Sequence, residues 1–276
     1  MRQQPEIGLP RDALGLGLRI PHYAYLFEQW PELGYLEILS ENFLSDAWPP
    51  RAQLERVRGR YPIVMHGVGL NLLGHEDLDA RYLDELCRLA DYVDAVFVSD
   101  HLCWTQAHAV SHHDLLPTPY TSDLVELAAR RAELVQRRLG RPFGIENLSS
   151  YVEFERSTLS EWDFYAQVVR ESGCHFMLDV NNVYVSSQNH GFDPERYLSA
   201  IDFSRVLQVH LAGHTREANG SVIDTHDQPV CDAVWALYRK AWQLGGPFPT
   251  LLEWDDRIPP MPVALAELEK ARAVRQ

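Results

Sequence analysis

Short apolar segments of this chain end repeatedly in side chains that can bind a metal ion. The segment "IVMH" ends in His66, "FGIE" in Glu146 and "FMLD" in Asp179. Any one of these residues alone would more often be a hydrogen-bonded structural group or a helix N-cap. If the segment ends meet in the fold, however, carboxylates and imidazoles gather at a large solvation cost, which cations would offset. The pattern predicts a metal site with six catalytic residues, His66, His101, Glu146, Asp179, His210 and Glu253.

A later loop adds two more candidate ligands. The segment "IDTHDQP" contains Asp224 and His226, one residue apart. Such a set exceeds what one ion binds, so we expect two or three ions that share a bridging carboxylate. The ligands are nitrogen and oxygen donors, which suits iron, zinc or manganese better than a sulfur-bound cluster.

The apolar segments have the length and composition of buried β-strands. They are nearly continuous rather than alternating in polarity, which is typical of a parallel sheet covered by helices on both faces. Eight strands are predicted, at residues 15–20, 35–39, 63–66, 95–100, 143–147, 176–180, 206–210 and 250–254.

Amphipathic segments lie between these strands. In residues 121–139, for example, Leu124, Ala128 and Val135 recur at helical spacing. Eight strand-then-helix units predict one α/β domain over residues 1–276, a (β/α)8 TIM barrel with the metal cluster at the carboxyl ends of its strands. An open doubly wound sheet is the alternative, but no GxGxxG motif follows the first strand. Other helices are predicted at 51–60, 76–93, 159–171, 230–244 and 262–274.

Composition narrows the function. The formal net charge of −14 over 276 residues argues against nucleic acid as a partner, because phosphates require a basic surface. No apolar run is long enough to cross a membrane, and the first ten residues show no signal-peptide core. The four cysteines form no CxxC pair and are expected to be reduced thiols. We therefore expect a cytoplasmic protein that binds neither nucleic acid nor membrane.

Longer motifs around the candidate ligands resemble a known family. In order and type, the ligands are similar to those of xylose isomerase-like barrels and of the type IV apurinic endonucleases. More specifically, residues 15 to 258 resemble the multinuclear non-heme iron-dependent oxidative enzymes (MNIO). The motifs that carry this resemblance are "SENF", "HGVGLNL", "SDHLCW", "IENLSSY", "LDVNNVYVSSQNHGFDP", "QVHLAGH", "IDTHDQPV" and "LLEWDDRIP".

The resemblance implies three metal positions. The first iron would be held by His66, His101 and Glu146. The second would share Glu146 as a bridge and add Asp179, His210 and Glu253. The third and most labile would be held by Asn182, Asp224 and His226.

One position departs from the endonuclease pattern. Those enzymes have Asp-x-x-His where this chain has Asp179-Val-Asn-Asn182. An amide oxygen is a weaker ligand than an imidazole, so we expect the third metal to bind less tightly. The choice of Asn182 over Asn181 rests on the resemblance, because spacing alone does not distinguish them. This departure favours an exchangeable iron position over a three-zinc hydrolase.

The resemblance also implies a reaction and its partners. Such enzymes use dioxygen and two or three irons, in a mixed-valent Fe(II)/Fe(III) state, to modify cysteine residues of ribosomally synthesised precursor peptides. A separate small protein usually recognises the leader segment of the precursor. Zinc or manganese is the alternative metal.

Other polar residues near the motifs are candidates for contacts to the ligands or to the substrate. Asp100, beside His101, is expected to fix the tautomer of that imidazole. Asp255 is expected to form a turn or a helix cap. The candidate contacts are Glu41, Asn42, Asp100, Asn147, His190 and His214.

Three other functions remain open from the sequence. A metal-dependent phosphodiester hydrolase of the endonuclease type would use zinc and a basic groove. A sugar isomerase would need two divalent metals and no oxygen. A non-catalytic metal-binding or peptide-binding protein would bind iron without turnover.

Overall fold

The computed structural model describes residues 7–44, 50–108 and 110–275. Eight parallel strands close into a TIM barrel, as predicted, and each predicted strand is confirmed within a few residues. In order around the barrel, the strands are β1 Leu14–Gly17, β2 Tyr35–Leu39, β3 Ile63–Gly67, β4 Val98–His101, β7 Phe143–Glu146, β8 His175–Asp179, β9 Val206–Leu211 and β12 Thr250–Leu252.

Helices surround the barrel and cover its outer surface. Their apolar faces pack on the strands and form the larger of two buried apolar clusters. The six predicted helices are confirmed, and further helices occur in the described residues. The helices are α1 Tyr23–Gln29, α2 Pro50–Arg58, α3 Ala80–Val93, α4 Ser122–Leu139, α5 Glu161–Ser172, α6 Val180–His190, α7 Pro194–Ser199, α8 Asp232–Gly245 and α9 Met261–Val274.

Helix α6 is not among the predicted helices, because the strand was predicted to continue to residue 180 and no helix was assigned after it. The side chain of Asp179 accepts a hydrogen bond from the backbone N–H of Asn182 and caps the helix. The sequence pattern did not indicate this helix, because its buried face carries amides and hydroxyls, including Asn181, Asn182 and Ser186.

Two hairpins were also missed. The strands β5 Trp104–Ala107 and β6 Val110–Leu116 form one antiparallel pair after β4. The strands β10 Thr215–Arg216 and β11 Val222–Ile223 form another after β9. Helix α3 begins at Ala80 rather than at residue 76, because the carboxylate of Asp79 caps its first turn.

The barrel interior changes in character along its axis. One end is filled by an apolar cluster in which Tyr35, Phe97 and Leu207 are fully buried.

Strand β9 contains a bulge near this cluster. Phe176 of β8 pairs with Val206 and Met177 with Gln208, so Leu207 is an extra residue without a partner in β8. Such a bulge changes the direction of the side chains that follow it.

Polar side chains fill the end of the barrel interior opposite the apolar cluster.

Within the described residues, no helix is long and apolar enough to cross a membrane. All four cysteines are unpaired, as expected.

Candidate metal centre

The predicted ligands meet at the carboxyl ends of the barrel strands, around a cavity of about 550 Å³. Parallel strands point their ends to the same side of a barrel, so residues far apart in the chain become neighbours. The lining includes His66, His101, Glu146, Asn182, Asp224, His226 and Glu253. Asp179 and His210 lie deeper and are fully buried.

One group of three ligands forms beside β3, β4 and β7. The Nε2 atoms of His66 and of His101 each lie 3.0 Å from Oε2 of Glu146. The two imidazole rings are 4.6 Å apart between centroids. Three donor atoms therefore face one another where a single ion could contact all of them.

Hydrogen bonds to the other ring nitrogens fix which nitrogen is free. Nδ1 of His66 lies 2.9 Å from Oγ of Ser99, which itself donates to the carbonyl oxygen of Met65 and so accepts from the imidazole. Nδ1 of His101 lies 3.0 Å from the carbonyl oxygen of Gly67, which can only accept. Both Nδ1 atoms therefore carry a proton, and in the neutral imidazoles both Nε2 lone pairs face Glu146.

The role expected for Asp100 is therefore wrong, because the Gly67 carbonyl fixes the tautomer of His101. The carboxylate of Asp100 accepts instead from the backbone N–H groups of His101 and Leu70. Burial, and then the charge of Glu41, raise the pKa of Asp100 to about 7. Asp100 therefore holds the loop after β3 in place and does not orient the imidazole of His101.

A second group shares Glu146 with the first. Nδ1 of His210 lies 3.8 Å from Oε1 of Glu146 and 3.1 Å from Oε2 of Glu253. Donor atoms of Glu146, Asp179 and His210 all lie within 4.8 Å of one another. The two oxygens of Glu146 thus face different imidazoles, which is the geometry of a bridging carboxylate.

A third group lies nearer the cavity opening. Nε2 of His226 lies 2.7 Å from Oδ1 of Asp224. Nδ1 of His226 donates to Oδ2 of Asp255 at 3.1 Å, so its Nε2 lone pair faces Asp224. The expectation that Asp255 merely forms a turn or a cap is wrong. Its carboxylate also accepts from Arg19 at 2.5 Å.

The two asparagines at the start of α6 have different surroundings. Oδ1 of Asn181 accepts from His214, and its Nδ2 donates to Asp224 at 2.7 Å. Asn182 uses only its Nδ2, which donates to the carbonyl of Asn147, while its buried Oδ1 has no hydrogen-bond partner. Asn182, unlike Asn181, therefore has a free oxygen for a ligand.

Charge is unevenly distributed over the cluster. Burial lowers the pKa of His101, but the charge of Glu146 and the hydrogen bond to it, together with the charge of Asp100 and the Gly67 carbonyl, outweigh burial and raise that pKa to about 9. Burial opposes ionisation of Glu146, but the charges of His101 and His66 hold its pKa well below its usual value. Burial and the charge of Glu146 raise the pKa of Asp179 well above its ordinary value. Without a metal, imidazolium protons balance part of the carboxylate charge.

The donor atoms fit a metal centre. Buried polar groups without a hydrogen bond cost free energy, and native proteins rarely leave several together. Unpartnered buried atoms occur elsewhere in the described residues as well, but five of them belong to the predicted ligands, where a cation would satisfy them. These five are Glu146 Oε2, Asp179 Oδ2, Asn182 Oδ1, His210 Nδ1 and His226 Nε2.

The remaining predicted contact residues support the site in different ways. Glu41 accepts from the N–H of Val68 and from the Tyr82 hydroxyl. Asn147 clamps the end of β8, because its side chain bonds both the N–H and the carbonyl of Asp179. Asn42 lines the cavity, His190 bonds Ser150 and His214 bonds Asn181.

Sequence reasoning missed several polar residues of the site. Glu37 and Gln208 lie beneath His210, inside strands that read as apolar. Arg19 lies 3.5 Å from Glu253. The charged residue in "YLEIL" was the available signal for Glu37, because a carboxylate inside a buried strand requires a partner.

Solved structures share the fold at low sequence identity. D-Psicose 3-epimerase from Clostridium cellulolyticum H10, solved with D-tagatose, superposes with a TM-score of 0.62 at 12% identity, over 96% of this chain and 99% of that one. A xylose isomerase-like TIM-barrel protein from Mycobacterium smegmatis, in complex with magnesium, gives a TM-score of 0.59 at 14% identity, over 95% and 96% of the two chains. These similarities establish the fold alone.

Relatives at higher identity cover nearly the whole chain. A protein of Caulobacter vibrioides described as a UPF0276 protein is 46% identical over 265 residues, 96% of this chain and 94% of the relative. A UPF0276 protein of Rhizorhabdus wittichii is 45% identical over 267 residues, 96% and 95% of the two chains. Residues 13–276 match the family described as RiPP precursor modification enzyme MbnB/TglH/ChrH, where a RiPP is a ribosomally synthesised and post-translationally modified peptide. The chain therefore belongs to this family of RiPP precursor modification enzymes.

Proposed function

We propose that this protein is a multinuclear non-heme iron oxidase that uses dioxygen to modify cysteine residues of a precursor peptide. One observation carries the proposal: Glu146 joins two groups of nitrogen and oxygen donors whose free lone pairs face a common cavity. Family membership supplies the substrate class. The metal ligands we propose are His66, His101, Glu146, Asp179, Asn182, His210, Asp224, His226 and Glu253.

Bound iron would supply redox chemistry with dioxygen and a position for the substrate thiolate. The protein holds one proton of each imidazole on the nitrogen that faces away from the cavity, so loss of the other proton frees the lone pair that faces the metal position without rotation of the ring. Ligands preorganised in this way reduce the cost of assembling the centre.

The cavity provides room for a peptide side chain and its neighbours. Its volume of about 550 Å³ is within the usual range of small-ligand sites. The hairpin of β5 and β6 contributes Asp114 and Leu115 to the wall, and the loop after β7 contributes Tyr151. Arg19, paired with Asp255, lines the opposite wall.

We also propose a separate small partner protein that recognises the leader segment of the precursor. The resemblance to the iron-dependent oxidative enzymes supports this partner. We expect the partner to raise activity toward a full precursor more than toward an isolated cysteine-containing core peptide.

The test combines metal analysis with oxygen uptake. Protein purified aerobically is analysed for iron, zinc and manganese, and oxygen consumption is followed with a cysteine-containing precursor and with its Cys→Ser version. We expect bound iron and oxygen consumption only with the cysteine peptide. Full activity with zinc at every position and without oxygen would refute the proposal. Cleavage of abasic-site DNA would support a hydrolase, and interconversion of a ketose would support a sugar isomerase.

A further inference from the structure

Glu37 is a carboxylate in an unusual place, the middle of barrel strand β2. It is 1% exposed, and the neighbouring interior residues Tyr35 and Leu207 are apolar. An ionised group in such surroundings is costly unless it is paired and hydrogen-bonded. Its partners should therefore reveal what it does.

The partners of Glu37 lie on strand β9. Oε2 of Glu37 lies 3.1 Å from Nε2 of His210 and 2.5 Å from Nε2 of Gln208. Gln208 and His210 are both fully buried. The bulge at Leu207 precedes them on the strand.

The contact with Glu37 decides which nitrogen of His210 is free. A carboxylate oxygen accepts, so the proton lies on Nε2 and the lone pair lies on Nδ1. Nδ1 is the atom that faces Glu253 and Glu146, and it has no hydrogen-bond partner. In the other tautomer, Nε2 would accept from Gln208, which lies 2.5 Å away, and the proton on Nδ1 would block a metal.

We propose that Glu37 is a positioning residue for the metal centre: it accepts the Nε2–H of His210 and so presents Nδ1 as a ligand. Gln208 donates to the same carboxylate oxygen and holds it in place. This inference rests on the metal site proposed above.

The predicted ligand imidazoles differ in the acceptor behind them. His66 is held by a hydroxyl and His101 by a backbone carbonyl, both neutral, whereas His210 is held by the carboxylate of Glu37. His226, nearer the cavity opening, is held by another carboxylate. A carboxylate acceptor makes the imidazole a stronger ligand. The position ligated by His210 is therefore expected to be the one that depends on Glu37.

The test uses cobalt(II) alone, titrated anaerobically into the metal-free full-length protein without peptide. Glu37→Leu removes the acceptor, and Glu37→Gln keeps an acceptor oxygen without the charge. Loss of an outer hydrogen bond of this kind weakens metal binding about 10- to 100-fold. We expect that loss at one cobalt position in Glu37→Leu, a few-fold loss in Glu37→Gln, and altered d–d absorption for that cobalt only.

Glu161→Gln is the matched control, because this carboxylate also bonds a buried side chain, Tyr197, but touches no proposed ligand. Its cobalt affinities should equal those of the wild type. Far-UV circular dichroism of each metal-free variant confirms folding, and Glu37→Gln decides the question if Glu37→Leu does not fold.

Unchanged cobalt affinity in Glu37→Gln and in any folded Glu37→Leu protein would overturn the inference, as would equal weakening at every position. Because neither oxygen nor peptide is present, the outcome is independent of the reaction. A wild-type protein that binds cobalt but never oxidises a peptide would refute the proposed function and leave the role of Glu37 intact.

Discussion

Glu146 determines how the metal positions depend on one another. One oxygen faces His66 and His101, and the other faces His210. Glu146 thus belongs to two donor groups, whereas His210 belongs only to the group that also contains Asp179.

Removal of these two residues should have different consequences for metal content. We expect His210→Ala to lose the ion beside Asp179 and Glu253 and to keep the one beside His66. Glu146→Ala should lose both. Metal-to-protein ratios by elemental analysis measure this difference, with circular dichroism as the folding control. Full metal content and activity in His210→Ala would show that the ligand assignment is wrong.

The unpartnered oxygen of Asn182 gives a second prediction at the residue scale. Asn182→His restores the stronger imidazole ligand and should retain the third metal through dialysis against a weak chelator. Asn182→Ala should release that metal more readily than the wild type. The retention order His, Asn, Ala is the expected result, and an identical retention in all three proteins would remove Asn182 from the ligand set.

His101 gives a prediction about pH. In the metal-free protein its pKa is raised from 6.5 to about 9, because the charge and hydrogen bond of Glu146, with Asp100 and the Gly67 carbonyl, together outweigh burial. A raised pKa stabilises the fold fully below pH 6.5, and that contribution disappears as the pH rises through about 9. The thermal midpoint of the metal-free protein should therefore fall across this interval.

The fall should be smaller in His101→Gln, which has no titrating imidazole at this position. Metal affinity should change in the opposite sense and rise with pH, since a metal must displace the proton. A midpoint that falls equally in both proteins would assign the effect to other groups.

At the scale of elements, strand β8 and helix α6 meet at one residue with two tasks. Asp179 caps α6 through Oδ1, and its Oδ2 remains unpartnered at the metal cavity. The same carboxyl group thus begins a helix and contributes to the candidate centre. Asn is about as good an N-cap as Asp, whereas Ala is not, so substitutions can separate the tasks.

Asp179→Asn should keep the helix and lose metal. The pKa of Asp179 is raised well above its usual value, so its charge destabilises the metal-free fold at neutral pH. We therefore expect metal-free Asp179→Asn to melt at or above the wild-type temperature. Asp179→Ala should lie about 1 kcal/mol below Asp179→Asn for want of a cap. Calorimetry of the metal-free proteins checks this order, and wild-type metal content in Asp179→Asn would contradict the ligand role.

The same elements show what sequence patterns can and cannot predict. Apolar runs marked every barrel strand, because strands buried on both faces have few polar residues. Helix α6 was not predicted, because buried amides such as Asn181 and Asn182 occupy positions where a helix usually has apolar residues. The hydrophobic periodicity that indicates a helix is therefore absent. The role of Glu37 was not predicted, because it depends on contacts with strand β9, where Gln208 lies 171 residues further along the chain.

At the scale of the whole molecule, the residues that stabilise the barrel and the candidate metal ligands lie in different parts of the fold. The apolar cluster at one end and the helix-covered exterior stabilise the fold, while the donors occupy the opposite end. The position of the cluster was predictable because parallel strand ends must converge. The assignment of each imidazole nitrogen was not, because it depends on acceptors such as Ser99 and Gly67.

The extra residue Leu207 lets two consecutive side chains of β9 face the barrel interior. In a regular strand, neighbouring side chains alternate between the two faces. Deletion of Leu207 would place Gln208 directly after Val206, where it already pairs with Met177, so His210 should still face the cavity. The deletion variant should keep the middle metal position by metal analysis and melt at a lower temperature, because the apolar cluster inside the barrel loses a buried leucine. Leu207 thus adds packing to the strand without displacing the ligand that follows it.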